Sequence, residues 1–225
     1  MATRVTCPAC GLSADLPGAR GAGPRTLHCP RCGAPVEWPA PSPAAPTAPP
    51  APAGRPWLPV AGWQVAALAA GAALLGTSMA TRGFFAAVVN GADLVFHEAG
   101  HPVFGLFGSR LLTALGGALG QLFFPAVAAA VFARRREAAS FATALLWTGF
   151  NVVDIGRYAA DGRVRALPLL APDVDSHDWW NILGILGLRE SAEAIGGAIG
   201  AAGYALMAFA PSWLAWRFLR AQRRP

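Results

Sequence analysis

Five long apolar stretches restrict what this chain can fold into. They cover residues 57–80, 84–108, 110–132, 138–160 and 192–216. A helix of about 20 apolar residues spans the hydrocarbon core of a bilayer, and each stretch is at least that long. The chain is 54% hydrophobic and only 13% charged, which excludes an ordinary soluble domain. We therefore predict an all-α polytopic membrane protein with four or five transmembrane helices.

The second stretch, residues 84–108, differs from the others because it has a polar face. Asn90, Asp93, His97 and His101 recur at steps of three and four residues, which places them on one side of a helix. If this helix crosses the membrane, the chain has five crossings, and if it re-enters, the chain has four. The distribution of arginines favours re-entry, whereas the length of the stretch favours a crossing. The sequence leaves both alternatives open.

The same helix carries the motif His97-Glu98-Ala99-Gly100-His101. Residues four apart share one helix face, so both imidazoles can bind a single metal ion. Glu98 then lies beside the metal, where it can accept a proton from a bound water molecule. The alternative is a helical pair of histidines with a neighbouring glutamate and no metal. The motif predicts a catalytic zinc site with Glu98 as its general base.

A catalytic zinc shell needs a third protein ligand from elsewhere in the chain. Asp154 is the first candidate, because helix alternation places it at the same depth as the histidines; its alternative is an ion pair with Arg157 at i+3. His177 is the second candidate, in a loop that emerges on the same side together with Asp178. His177 could instead contact a metal ligand without binding the metal itself, or act as a gate over the metal. Asp93 is predicted to orient a histidine ring.

The cysteines of the chain form two Cys-x-x-Cys pairs within residues 1–38. They are Cys7, Cys10, Cys29 and Cys32, and this spacing predicts a zinc ribbon with a tetrahedral four-thiolate site. Two disulfides or an iron site are the alternatives. Since we find no signal-peptide pattern, we expect the ribbon in the cytoplasm, where disulfides are disfavoured. Its zinc is predicted to be structural, because four thiolates leave no open position.

Residues 39–56 are rich in proline and alanine and predict a semi-rigid linker. The domains are therefore a ribbon at 1–38, this linker, and a helical membrane domain at 57–220. We expect a multi-pass protein of the bacterial cytoplasmic (inner) membrane, in contact with the lipid bilayer. The ribbon is expected to bind a cytoplasmic protein partner. No nucleic acid is expected as a partner, since no basic and aromatic surface stands out.

The motif helix and the later aspartate resemble the site-2 type intramembrane metalloproteases. In that family two histidines and an aspartate from a distant helix bind zinc, and the glutamate activates water. The resemblance covers roughly residues 84–160 and implies these roles for His97, His101, Asp154 and Glu98.

The chain departs from that family in three respects. Its aspartate lies in Val153-Asp154-Ile155-Gly156, where the family has an LDG motif, and no PDZ domain is present. The block at residues 176–184, SHDWWNILG, instead resembles uncharacterised bacterial membrane proteins that carry HEAGH.

These observations predict a membrane-embedded zinc metallopeptidase that hydrolyses a peptide bond in or near the bilayer. It would hold two Zn²⁺ ions, one structural in the ribbon and one catalytic, and act on a membrane-protein substrate. Two alternatives remain. One is a non-enzymatic membrane scaffold whose ribbon recruits a cytoplasmic partner. The other is a metal or proton transporter that uses the intramembrane polar face.

Overall fold

A computed structural model describes residues 2–17, 26–37, 56–170, 173 and 176–223. The chain divides into two compact units, residues 1–55 and 56–225, which are considered separately below. The linker predicted at 39–56 lies outside the described residues, apart from Pro56.

The N-terminal unit consists of two short antiparallel hairpins. Their strands are β1 (Ala2–Thr6) with β2 (Ser13–Pro17), and β3 (Thr26–His28) with β4 (Pro35–Glu37). Each Cys-x-x-Cys pair lies in the connection of one hairpin and is followed by a glycine. Gly11 and Gly33 have φ angles of 73° and 72°, a left-handed conformation that favours glycine. These turns bring the two cysteines of each pair to the same side of the hairpin.

The second unit is entirely helical. Its helices are α1 (Gly62–Ala80), α2 (Phe84–Gly105), α3 (Arg110–Arg135), α4 (Ala138–Ala160), α5 (Asp178–Leu186) and α6 (Ala192–Gln222). Within the described part of the chain, four helices are long and apolar enough to cross a membrane, namely α1, α3, α4 and α6. The predicted multi-pass helical architecture is therefore confirmed.

Helix α2 is not among these four, although its 22 residues rise about 33 Å, enough to cross the hydrocarbon core. Its polar face, which includes Asp93, His97 and Glu98, lowers its hydropathy. Its other faces expose large apolar side chains, among them Phe84, Phe85, Val88, Val95 and Val103.

His177 and Asp178 were predicted to lie in a loop, but a nine-residue helix, α5, begins at Asp178. His177 caps this helix: its Nδ1 atom accepts a hydrogen bond from the backbone N–H of Trp180 at 3.3 Å. Gly187 ends it with a φ angle of 69°. The helix is short and begins within a polar run, so no long apolar period marks it in the sequence.

Helices α4 and α6 approach so closely that their backbones touch. Four glycines lie at this contact, and a Cβ atom added to any of them would lie under 3.0 Å from atoms of the facing helix. They are Gly149 and Gly156 of α4 and Gly196 and Gly203 of α6. Gly196 and Gly203 of α6 therefore pack directly against α4. At Gly200 a Cβ would meet open space, although Gly156 packs against its backbone. Small residues permit this close crossing.

Helices α2 and α3 cross in the same way, and this crossing positions the motif. Gly100 of α2 packs against Gly116 of α3, and Gly120 packs against the backbone of α2 near Gly100. A Cβ on Gly117 would overlap the imidazole of His97. The glycine-rich face of α3 therefore gives the histidine rings the room they occupy.

Candidate metal centres

The four cysteines of the N-terminal unit converge on one point. Their Sγ atoms all lie within 4.8 Å of one another, with 3.7 Å between Cys7 and Cys32 and 3.6 Å between Cys10 and Cys29. Sulfur atoms at the corners of a tetrahedron with metal–sulfur bonds of 2.3 Å are about 3.8 Å apart. All four thiols are free. The cluster therefore has the spacing of a four-thiolate metal site.

The backbone of the second hairpin favours the thiolate form of Cys29. The amide N–H groups of Arg31 and Cys32 donate to its sulfur, and they lower the pKa of Cys29 to about 6 against the opposing effect of burial. The thiolate is the form that binds metal. The turn thus prepares this cysteine for metal binding.

The second centre is formed by His97 and His101 of α2 and by Asp178, the first residue of α5. The Oδ2 atom of Asp178 lies 3.0 Å from Nε2 of His97 and 3.4 Å from Nε2 of His101. The His97 and Asp178 side chains are 11% and 14% exposed, so water surrounds neither. These three residues are one of the two groups among the described residues that could hold a metal ion.

The protonation of the His101 ring follows from its second nitrogen. Nδ1 lies 2.8 Å from the backbone oxygen of Thr113 in α3. A carbonyl oxygen only accepts hydrogen bonds, so Nδ1 carries the proton. In a neutral ring, Nε2 then presents a lone pair to the Asp178 carboxylate.

The ring of His97 is oriented through a short chain of side chains. Gln121 of α3 donates from Nε2 to Oδ2 of Asp154 at 3.2 Å, which turns its amide oxygen towards His97. That oxygen lies 3.3 Å from Nδ1 of His97. Nδ1 of His97 therefore carries a proton, and in a neutral ring its Nε2 also presents a lone pair to Asp178.

Two nitrogen lone pairs and a carboxylate oxygen converge without a hydrogen between them when both rings are neutral. A cation at their centre resolves this arrangement, because all three atoms are electron donors. Ligand atoms about 2.05 Å from a tetrahedral ion are about 3.3 Å apart, close to the two observed distances. Hydrogen bonds from the other ring nitrogen are typical of histidines that bind metal. The three residues therefore fit a metal such as zinc.

The structure does not bring Asp154 or His177 into this group. Asp154 acts on His97 only through Gln121, as described above. His177 is fully buried, and its Nε2 donates to Oδ2 of Asp161 at 3.1 Å. Burial lowers the pKa of His177 although Asp161 opposes the shift, so the ring is neutral. It holds the start of α5 and thereby places Asp178.

Asp93, predicted to orient a histidine ring, has a different partner. Both of its carboxylate oxygens accept from Nε1 of Trp147 in α4, at 3.0 and 3.2 Å.

The sequence placed Asp178 only in a loop that emerges on the same side as the histidines. The signal that could have identified Asp178 is that it directly follows His177, a residue suited to cap a helix. A side chain in the first turn of a helix is held more firmly than one in a loop.

A cavity of about 670 Å³ adjoins the three residues. Its wall includes Glu98, Asp154, Arg157 and Tyr158, together with the segment 167–170. The Tyr158 hydroxyl accepts the backbone N–H of Asp178 at 3.1 Å, and its ring stacks on His177 at 4.2 Å. Glu98 is exposed in this cavity. The carboxylate of Glu98 and a cavity of about 670 Å³ therefore lie beside the candidate metal ligands.

Comparisons with protein-family models, with curated proteins and with solved structures found no match to this chain.

Proposed function

We propose that the helical unit is a membrane-embedded zinc metallopeptidase whose metal ligands are His97, His101 and Asp178. The observation that carries the proposal is the convergence of two Nε2 atoms and one carboxylate oxygen, with both Nδ1 atoms held by acceptors on α3 or its side chains. The site-2 resemblance is kept for the two histidines and Glu98. The third ligand is assigned to Asp178 of α5, and Asp154 orients a ligand through Gln121.

The chemistry follows from the positions of these groups. Zinc, when bound, lowers the pKa of a water molecule and polarises the scissile carbonyl. Glu98 follows His97 directly and faces the cavity, so its carboxylate accepts the proton of the attacking water and returns it to the leaving amine. The phenol of Tyr158 closes the cavity beside Asp178. The site needs no other acid or base.

The substrate is proposed to be a membrane protein. The helical unit exposes large apolar side chains, and four of its helices are long and apolar enough to span a bilayer. A peptide that reaches the cavity must therefore pass through or beside the lipid.

We further infer that the ribbon binds zinc for its own fold and recruits a cytoplasmic partner, since four thiolates complete a shell.

The proposal is tested by counting zinc and following hydrolysis. Purified wild-type protein is expected to hold two zinc ions, and His97→Ala is expected to hold one. Glu98→Gln is expected to keep both and to lose cleavage of a membrane substrate, because the amide cannot accept the proton. Glu193→Gln, an exposed glutamate on α6, is the matched control and should cleave normally. If the His97→Ala variant still held two zinc ions, that result would contradict the proposed site.

The ligand assignment has its own test. Asp178→Ala is expected to remove the zinc of the helical unit, because it deletes a ligand atom. Asp154→Asn is expected to weaken zinc affinity by about 10- to 100-fold, the usual effect of disturbing a group that orients a ligand. If Asp178→Ala kept two zinc ions while Asp154→Asn lost one, Asp154 would be the ligand. If wild type held only the ribbon zinc, a protonated His101 paired with Asp178 would explain the geometry instead.

A further inference from the structure

A second polar cluster lies inside the helical unit, apart from the two histidines. It consists of Asn90 and Asp93 of α2 and Asn151 of α4, with Trp147 beside them. Asp93 is 1% exposed, and Asn151 is fully buried. Asn90 and Asp93 are three residues apart on one face of α2. The proposed hydrolysis uses none of these residues.

The hydrogen bonds of the cluster leave two oxygen atoms without a donor. Asn151 donates from Nδ2 to the backbone oxygen of Trp147 at 3.0 Å. Its Oδ1 atom and the Oδ1 atom of Asn90 are buried and have no hydrogen-bond partner among the described residues. The side chain of Asn151 also lies within hydrogen-bonding distance of the Asp93 carboxylate. Buried oxygens without partners are rare, because each gives up the hydrogen bonds that it would accept from water.

The charge of the cluster is also unbalanced. Among the described residues, Asp93 accepts hydrogen bonds from the neutral indole of Trp147 and the amide of Asn151. The negative charge of Asp154 acts unfavourably on a charged Asp93. In the part of the chain that the structure describes, no arginine or histidine forms an ion pair with Asp93. A buried carboxylate without a positive partner is costly, particularly among membrane helices.

We propose that Asp93, Asn90 and Asn151 bind a small monovalent cation of the Na⁺ type. One carboxylate and two amide oxygens supply hard oxygen ligands and a single negative charge, which one monovalent ion neutralises. Both oxygens that lack a donor become ligands. Asn90 lines the 670 Å³ cavity, which gives the ion an access path and supplies water for its remaining ligand positions. The site lies one helical turn before His97, so the ion also stabilises the part of α2 that carries the motif.

The test compares the thermal unfolding of purified full-length protein in sodium chloride and in choline chloride at equal ionic strength. Sodium at about 100 times its Kd is expected to raise the Tm by about 5 °C, since it binds only the folded state. Asp93→Asn and Asn151→Leu are expected to abolish the difference. Thr143→Val, an exposed isosteric change on α4, is the control and should retain it.

Binding of radioactive sodium to wild type gives a second measurement that does not depend on the stability of the variants. Saturable uptake at one ion per chain supports the site, and uptake that survives Asp93→Asn overturns it. A Tm that changes with pH but not with sodium also overturns it, because Asp93 would then carry a proton. Zinc content separates this inference from the proposed peptidase, since Asp93→Asn is expected to keep two zinc ions whether or not sodium binds.

Discussion

At the scale of single residues, the direction of each histidine ring is decided by an acceptor on the neighbouring helix. His101 donates to the backbone of Thr113, and His97 donates to Gln121, whose own orientation is set by Asp154. Both Nε2 atoms are thereby turned towards Asp178. The fold positions both Nε2 atoms before any ion arrives, which reduces the ordering that metal binding requires.

The glycine facing His97 gives a direct test of this arrangement. Gly117→Ala is expected to displace the imidazole, because the added methyl group would overlap the ring, and so to lose the zinc of the helical unit. Gly91→Ala is the matched control: it also lies in a helix beside the cavity, but its Cβ would meet nothing within 4 Å. Zinc analysis of both variants decides the matter, and equal zinc content would show that the ring has room to move.

At the scale of helices and strands, the long elements were predictable and the short one was not. The apolar stretches located α1, α2, α3, α4 and α6 to within a few residues, since bilayer thickness imposes a minimum length. The two Cys-x-x-Cys-Gly turns likewise indicated the cysteine cluster. Helix α5 was not predicted, because a nine-residue helix that begins within a polar run carries too little periodicity.

The third member of the histidine group could not be assigned for a related reason. Helix alternation predicted Asp154 to lie near the histidines, and Asp154 lines the same cavity as they do. It could not show that Gln121 lies between Asp154 and His97. It also could not show that a hydrogen bond between His177 and Asp161 holds the start of α5, and hence Asp178, over the motif. Such side-chain contacts depend on tertiary packing, which a periodic pattern does not contain.

The crossing of α4 and α6 offers a prediction at this scale. Gly196→Ala is expected to destabilise the helical unit by about 1–3 kcal/mol, because the new methyl group would strike the backbone of α4 near Ala160. Gly197→Ala, one residue later, points into open space and is expected to leave stability unchanged or to raise it slightly. Unfolding of both variants in detergent is the measurement, and indistinguishable midpoints would mean that the helices can separate at low cost.

At the scale of the whole molecule, two compact units each carry one candidate metal centre. The donor atoms differ: the N-terminal unit offers four sulfurs, and the helical unit offers two nitrogens and an oxygen. Sulfur shells of this kind are closed and structural, whereas three mixed ligands leave a position for a reactant. In the proposed function, the N-terminal unit therefore holds a structural ion and the helical unit a catalytic one.

This separation predicts that the two metals can be removed independently. Cys29→Ser is expected to lose the ribbon zinc and to unfold the hairpins, while the helical unit keeps its zinc and its Tm. His97→Ala is expected to do the opposite. Zinc content and far-UV circular dichroism of the full chain measure both effects. Loss of both ions in either variant would show that the units are coupled.

The contact between His101 and the backbone of Thr113 has a consequence for how this site changes over evolutionary time. A main-chain oxygen is supplied by every amino acid, so position 113 can drift although it touches a histidine of the centre. Gly117 contributes no atom to the chemistry, yet any side chain there would collide with His97. Descendants of this protein should therefore vary freely at position 113, which contacts the site directly. They should retain Gly117, which contributes only space.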